Sequence, residues 1–377
     1  MVRTGASAFR AEHVSSTPSE RETDMGLNLL LVFIPIAVAL DWYDANPVAV
    51  FAAAALAIIP LAGLMGRSTE HLSTYVGATV GGLLSASLGN APELIISGLA
   101  LKEGLVDVVK ASITGSILGN TLFSLGLSMI IGGWGRERQR FNPTVAGMSG
   151  GLLFVAAVAL LIPAMFHFAT GKEREVSMEI AVVLFVTYLL SLLFTLKTHR
   201  QLIQQGGHDT HASAESHEAS HEAHWSKGKS IGVLVVVTVV IAVVSEILVG
   251  AIEPASASIG MTTIFTGIIF LALVGNAAEA MNAVSFARKD QMDLSFGIAV
   301  GASTQVALFV APVLVFAGYF MGKPMDLHFT AFEIVAIVLA VTIVSRQTSD
   351  GECHWMEGVM LIAVYLMLAI GFFFLPA

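Results

Sequence analysis

Long apolar runs recur along the whole chain, and they limit its fold more than any other feature. Between short breaks rich in charge, Gly or Pro, eleven such runs lie near 27–42, 47–66, 73–101, 107–131, 143–168, 176–197, 229–252, 259–287, 293–320, 327–345 and 354–375. Most reach the roughly 18 to 20 residues a helix needs to cross the ~30 Å hydrocarbon layer of a bilayer. Inside that layer a backbone segment must satisfy its own hydrogen bonds, so each run is expected to be helical. Composition agrees, with 55% hydrophobic and only 12% charged residues. A soluble fold of this length needs a larger charged surface. The expected fold is an all-α integral membrane protein of about eleven transmembrane helices, a multi-pass protein of a cell membrane whose first partner is the lipid bilayer.

The polar segments are few. Residues 1–25 are a polar tail of mixed charge, too long and too acidic to read as the basic start of a signal peptide. Residues 26–46 carry a short first span. The one substantial polar insert, 198–228, contains HDTHASAESHEASHEAH, with His217 and His221 four apart. A metal-sensing or proton-responsive loop is one reading of it; a solvated Glu-rich linker is the simpler one. The net charge of -9 is spread over loops of mixed sign, and nothing basic enough to hold nucleic acid is present. The single Cys353 excludes an internal disulfide and a Cys-rich metal site.

Lys and Arg set the orientation. With the N-terminus cytoplasmic, inside segments hold Arg3, Arg10, Arg21, Arg67, Arg136, Arg138, Arg140, Lys197, Arg200, Lys227, Lys229, Arg288, Lys289 and Arg346. Outside segments hold Lys102, Lys110, Lys172, Arg174 and Lys323. Fourteen against five is a clear positive-inside bias.

Two of the spans break the apolar pattern in the same way. GNAPELIISG at 89–98 and GNAAEAMNAV at 275–284 each place an Asn and a Glu in mid-span. The match continues at constant offset, with Asp107 on Asp293, Gly115 on Gly301, Leu122 on Leu308 and Phe123 on Phe309. Five spans separate the copies, and five is odd, so the copies must cross the membrane in opposite directions. Residues 47–197 and 229–377 are therefore read as two inverted five-helix repeats, following an extra N-terminal helix. In such folds the ion site lies at the repeat interface near the midplane. Glu70 in STEHL and Glu246 in SEILV form a weaker second correspondence, with a gating or proton-coupling role as one reading and an interfacial position as the other.

A carboxylate at bilayer depth costs about 2.5–3.5 kcal/mol on insertion scales, so Glu93 and Glu279 need partners or water. A pair of buried carboxylates holds either a proton or a metal, and competition between the two is the physical basis of exchange. Asn90 and Asn276 precede their glutamates by three residues and share a helix face with them. Gly89 and Gly275 permit close approach or local unwinding that frees carbonyl oxygens. Pro92 hints at a break in the first copy. GSILGN and GASTQ add Ser116, Asn120, Ser303 and Gln305. This oxygen inventory suits calcium, and with no thiol or imidazole in these stretches zinc and copper are disfavoured. Gly98, Gly126, Ser124 and Ser285 read as packing positions.

The stretches GNAPELIISGLALKEGLVDVVKASITGSILGN and GNAAEAMNAVSFARKDQMDLSFGIAVGASTQVALFVAP resemble the two alpha-repeats of the calcium/cation antiporter superfamily, specifically its cation/proton exchanger branch. TEHL at 69–72 and SEILV at 245–249 resemble its flanking motifs. The resemblance covers spans two to eleven. It implies eleven spans, two inverted halves and calcium efflux driven by proton entry. The metal-binding glutamates carry over to Glu93 and Glu279, with Asn90 and Asn276 beside them. The polar partner positions carry over to Asn120 and Gln305, and further to Ser116 and Ser303. Pro92 departs from the small or hydroxyl residue usual there, and the loop is His-rich where relatives often carry an acidic helix. The expected activity is Ca2+/H+ antiport by alternating access, with no resident cofactor and with manganese or sodium as other cargo; a homo-oligomer is compatible with this. The same oxygens also permit Na+ or K+ exchange, and a cation channel is a further alternative. An enzyme is not expected.

Overall fold

A computed structural model describes residues 28–170, 173–198 and 225–375. The N-terminal tail and most of the His-rich loop, with His217 and His221, lie outside the described residues. Among the described residues the fold is helical, with one two-stranded ribbon at an end of the bundle. We label the helices α1 (Leu30–Trp42), α2 (Pro47–Val76), α3 (Ala78–Leu88), α4 (Ala91–Lys102), α5 (Val106–Gly133), α6 (Pro143–Phe166) and α7 (Arg174–Thr198). There follow α8 (Lys227–Ser258), α9 (Thr263–Gly275), α10 (Ala277–Arg288), α11 (Met292–Phe320), α12 (Ala331–Gln347) and α13 (Trp355–Phe373).

Among the described residues seven helices are long and apolar enough to cross a membrane, and nine if each bent pair is one span. α1 and the 17-residue α12 are shorter. The two spans expected to tilt or break do break. α3 and α4 meet at 45°, and α9 and α10 meet at 57°. Asn90 and Asn276 stand at the two breaks with nearly equal backbone angles, φ -95°, ψ 18° and φ -94°, ψ 9°. That bridge conformation lies outside the helical well and interrupts the hydrogen-bond ladder. Pro92 sits in the first turn of α4, where its missing N–H is no loss. The second copy breaks equally well with Ala278 in that place, so Pro92 fits the break without being its cause.

Depth of burial separates central from peripheral helices. In α5 and α11, 72% of the most apolar window is buried, against 17% in α7. α7 and α8 instead turn Val182, Val183, Val186, Val235, Val236 and Val239 outward, as lipid-facing surfaces require. α5 and α11 are the equivalent helices of the two repeats, and each winds into a π-helical segment at the equivalent place, Gly119–Ser124 and Val306–Val310.

Contacts at the two ends of the bundle fix the sense of each helix. At one end, Gln139 and Arg140 pair antiparallel with Cys353 and Glu352, Gln139 Nε2 donates to the Ala287 carbonyl at 3.0 Å, and Arg136 donates to the Arg288 carbonyl at 3.0 Å. The Asn142 amide donates to Asp293 at 2.6 Å at the same end. At the other end Lys110 meets Asp326 at 2.5 Å and the His328 carbonyl at 2.9 Å, and the Leu327 amide donates to Ser177 at 2.9 Å. So α5 starts at the end where α11 finishes, and α11 starts where α5 finishes. α2 and α8 also run antiparallel, since Tyr75 near the end of α2 donates to the Trp225 carbonyl just before α8. Equivalent helices run in opposite senses, as the odd separation of the motifs requires.

Candidate functional site

The two broken spans meet the two central helices in the middle of the bundle, and the contacts cross between repeats. Asn90 Nδ2 donates to Gln305 Oε1 on α11 at 2.5 Å. Asn276 Oδ1 accepts from Asn120 Nδ2 on α5 at 2.8 Å, and Asn276 Nδ2 donates to Ser116 Oγ at 2.9 Å. Each motif is thus held by the partner helix of the other half. Ser303 Oγ donates to the Ile117 carbonyl at 3.3 Å, which ties α11 to α5 at the same level. The break geometry makes this possible. At each bend the ladder is interrupted just past the Asn, which itself stays bonded: Asn276 N–H donates to the Ala272 carbonyl at 3.0 Å, and its own carbonyl accepts from the Ala280 N–H at 2.9 Å. The side-chain amide reaches across to the neighbouring helix from there.

Glu93 and Glu279 occupy the first turns of α4 and α10, immediately past the breaks. Glu93 is buried and Glu279 partly so, and the two carboxylates lie within electrostatic reach of each other. Glu93 lies against Gly275. A Cβ at that position would come 3.3 Å from Glu93 Oε1, so the absence of a side chain there gives the carboxylate its place. Gly89 touches no carboxylate; its close neighbour is the Ser85 carbonyl of its own helix.

Among the described residues, both oxygens of Glu93, Oε2 of Glu279 and Oδ1 of Asn120 are buried without a hydrogen-bond partner. Buried polar atoms are normally paired, because an orphan forfeits roughly 1–3 kcal/mol. All four atoms are acceptors, and they belong to residues of one site. Such a set suits a ligand that brings positive charge or a proton. No three His, Cys, Asp or Glu side chains cluster among the described residues. A cation here would therefore need the amides, hydroxyls and freed carbonyls as well as the two carboxylates, which is hard-cation coordination.

Ten residues expected at the site fall at this crossing: Glu93, Glu279, Asn90, Asn276, Ser116, Asn120, Ser303, Gln305, Gly89 and Gly275. Glu70 and Glu246 stand apart on α2 and α8. Glu70 is toward the end marked by Trp225, beside His71, which stacks on that indole at 5.0 Å. Glu246 is exposed in the half of α8 that leads to Ser258. α2 packs on α9 and α10, and α8 packs on α4, so both helices flank the broken spans.

The chain matches the model of the sodium/calcium exchanger protein family over residues 46–197 and 229–374. It is 44% identical over 357 residues to the Ca(2+)/H(+) antiporter of Aphanothece halophytica, covering 92% of this chain and 96% of that one. The chain belongs to the sodium/calcium exchanger family. It is also 41% identical to the Ca(2+)/H(+) antiporter ChaA of Bacillus subtilis, over 92% of this chain and 98% of that protein. The structure of native YfkE superposes with a TM-score of 0.79 at 38% identity, covering 93% of this chain and all of that one. The H+/Ca2+ exchanger CAX matches at TM-score 0.71 and 14% identity, a likeness of fold alone. These relatives are transporters and not enzymes.

Two polar contacts have no signature in the hydropathy pattern. Glu333 is buried, caps α12 through the Thr330 hydroxyl and amide, and accepts from Thr114 of α5 at 3.0 Å. The Thr-x-x-Glu capping pattern at 330–333 is legible in the sequence, but its partner across the bundle is not. Lys110, expected in an outer segment, is set into α5 and paired with Asp326.

Proposed function

We propose that this protein exchanges Ca2+ for H+ across a cell membrane by alternating access, with both ions as its substrates. The observation that carries the reading is the cluster of unpartnered buried oxygens on Glu93, Glu279 and Asn120. The names of relatives at 44% and 41% identity support the same ion pair. Glu93 and Glu279 bind Ca2+ when ionised, with Asn90, Asn276, Asn120, Gln305, Ser116 and Ser303 as supporting oxygens. Protonation neutralises the carboxylates and releases the cation. Because the two ions use the same oxygens, neither crosses without the other having left, and this is what couples them.

The finer architecture is part of this proposal. Eleven spans form an extra N-terminal helix and two inverted halves, 47–197 and 229–377, joined by the His-rich loop. The end carrying Arg136, Arg138, Arg140 and Arg288 faces the cytoplasm, with the N-terminus, as the excess of positive charge there demands. Glu70 and Glu246 act in proton access or gating on either side of the site.

Purified protein in liposomes with an imposed pH gradient tests the reading. Calcium uptake should follow the gradient and saturate with calcium concentration. Uptake of sodium or potassium instead would replace calcium exchange by monovalent exchange, and flux that ignores the gradient would point to a channel.

A further inference from the structure

Two buried tyrosines, one on the last helix of each half, occupy matching places although their spacing in the sequence does not pair them. Tyr188 of α7 stacks on Phe309 at 5.0 Å, and Tyr365 of α13 packs on Phe123 with ring centroids 5.4 Å apart. Phe123 and Phe309 are repeat equivalents, and each stands in the π-helical segment of its central helix. Each tyrosine also lies beside the broken span of its own half, at the alanine four residues before the break asparagine. Tyr188 Oη donates to the Ala86 carbonyl at 3.4 Å. Tyr365 shares the wall of a small gap with Ala272 and Asn276. Ala86 and Ala272 are themselves equivalents, at the same offset as the two motifs.

The two carbonyls are bonded differently. A carbonyl oxygen has two lone pairs. That of Ala272 takes the Asn276 backbone N–H at 3.0 Å and Asn276 Nδ2 at 2.6 Å, so both are filled from its own motif. That of Ala86 takes Asn90 Nδ2 at 3.5 Å, and Tyr188 supplies a bond from outside the span. Among the described residues the Tyr365 hydroxyl has no hydrogen-bond partner, although a buried tyrosine hydroxyl usually finds one. The difference follows the packing. α9 lies against α5, whereas its equivalent α3 lies against α2 and the end of α7.

We propose that Tyr188 and Tyr365 are positioning residues that act as alternating latches on the two broken spans. Tyr188 holds the Ala86 carbonyl while α3 is undocked, the state seen here. When α3 docks and α9 leaves α5, Tyr188 lets go and Tyr365 takes the Ala272 carbonyl. Each acts through the bend, because the latched carbonyl belongs to the turn that places Asn90 or Asn276. One latch therefore stabilises each access state. The inference rests on the exchange reading, because it assigns the residues that hold the two states of that exchange.

Inside-out and right-side-out membrane vesicles read the two faces separately. The half-saturating calcium concentration is measured at each face, without a pH gradient, and the ratio of outer to cytoplasmic values follows the equilibrium between the states. With α3 undocked the site opens toward the face where α3 begins, the cytoplasmic one in the proposed orientation. Phe at either position keeps the ring contact and removes only the hydroxyl. Tyr188→Phe should lower the ratio about fivefold, the effect of losing one hydrogen bond on an equilibrium, and Tyr365→Phe should raise it about as much. A purely structural role would change expression or maximal rate and leave the ratio alone. An unchanged ratio in either variant, or a shift of the same sign in both, overturns the inference. A wild-type protein that moves no calcium under an imposed pH gradient would overturn the exchange reading, and this inference with it.

Discussion

α3 and α9 are the same half-helix in the two repeats, yet they are packed differently. α9 lies on α2, α5, α8 and α13, and at its crossing with α5 the backbones nearly touch. A Cβ at Gly115 would overlap the Ile268 carbonyl oxygen and fall 2.7 Å from Ala272 Cβ. At the equivalent crossing a Cβ on Gly301 would meet nothing within 4 Å. The partners of α3 are α2 and the π-helical end of α7 instead. Both glycines have the small size that close helix contact needs, but only one is using it. The difference shows how a repeat protein can hold two states. The repeat provides two related docking places with different side chains, Ile268 of α9 standing where α3 has Gly82, and the structure closes the one at α9 while leaving Gly301 open. Exchange of those roles would open the site to the opposite face, the rocking expected of inverted repeats.

The largest expected effect concerns what the halves share. Glu93→Gln or Glu279→Gln should abolish calcium uptake in the pH-gradient assay, with unchanged expression and gel-filtration behaviour. A wild-type rate in either variant would remove that carboxylate from the site. The two glycines then test the asymmetry directly. Gly115→Ala forces α9 off α5 and should destabilise the protein by about 1–3 kcal/mol, the usual cost of overpacking, read as a lower melting temperature in detergent. Gly301→Ala enters open space and should leave that melting temperature unchanged or slightly raised. It should nevertheless slow exchange at least about fivefold, because the added methyl obstructs docking of α3 in the other state. A Gly301→Ala protein with normal transport would break the comparison.

A smaller contrast lies between the two ends. Lys110 and Asp326 are 12% and 19% exposed, so Lys110→Met strands a largely desolvated charge on Asp326 and should cost about 1–3 kcal/mol. Arg138 and Glu352 are 47% and 29% exposed, and Arg138→Ala should cost no more than about 1 kcal/mol. Thermal unfolding of the two variants side by side measures the ratio.

Much of the site is legible in the amino-acid order. A carboxylate in an apolar span is costly enough to imply function, and its repetition five spans further on, an odd step, implies inversion. GNAPE and GNAAE therefore point to the membrane fold, the breaks and the paired carboxylates. Glu70 and Glu246 are harder, because their repeat spacing is unequal, and the structure sets them on flanking helices rather than at the crossing. Ser124 reads as a packing residue, since a serine in a membrane helix usually bonds to its own backbone.

The sequence by itself determined the membrane setting, the repeat, its inversion and the chemical character of the site, because each follows from hydropathy, parity and the cost of burying charge. Tertiary structure decided which amide bonds to which helix, and that the pairing crosses between halves, because those choices depend on side-chain direction at a broken helix. It also decided that Gly115 is closed and Gly301 open. The two glycines are identical, but the helices that face them are not, with Ile268 of α9 standing where α3 has Gly82, and only the packed structure shows which crossing is tight.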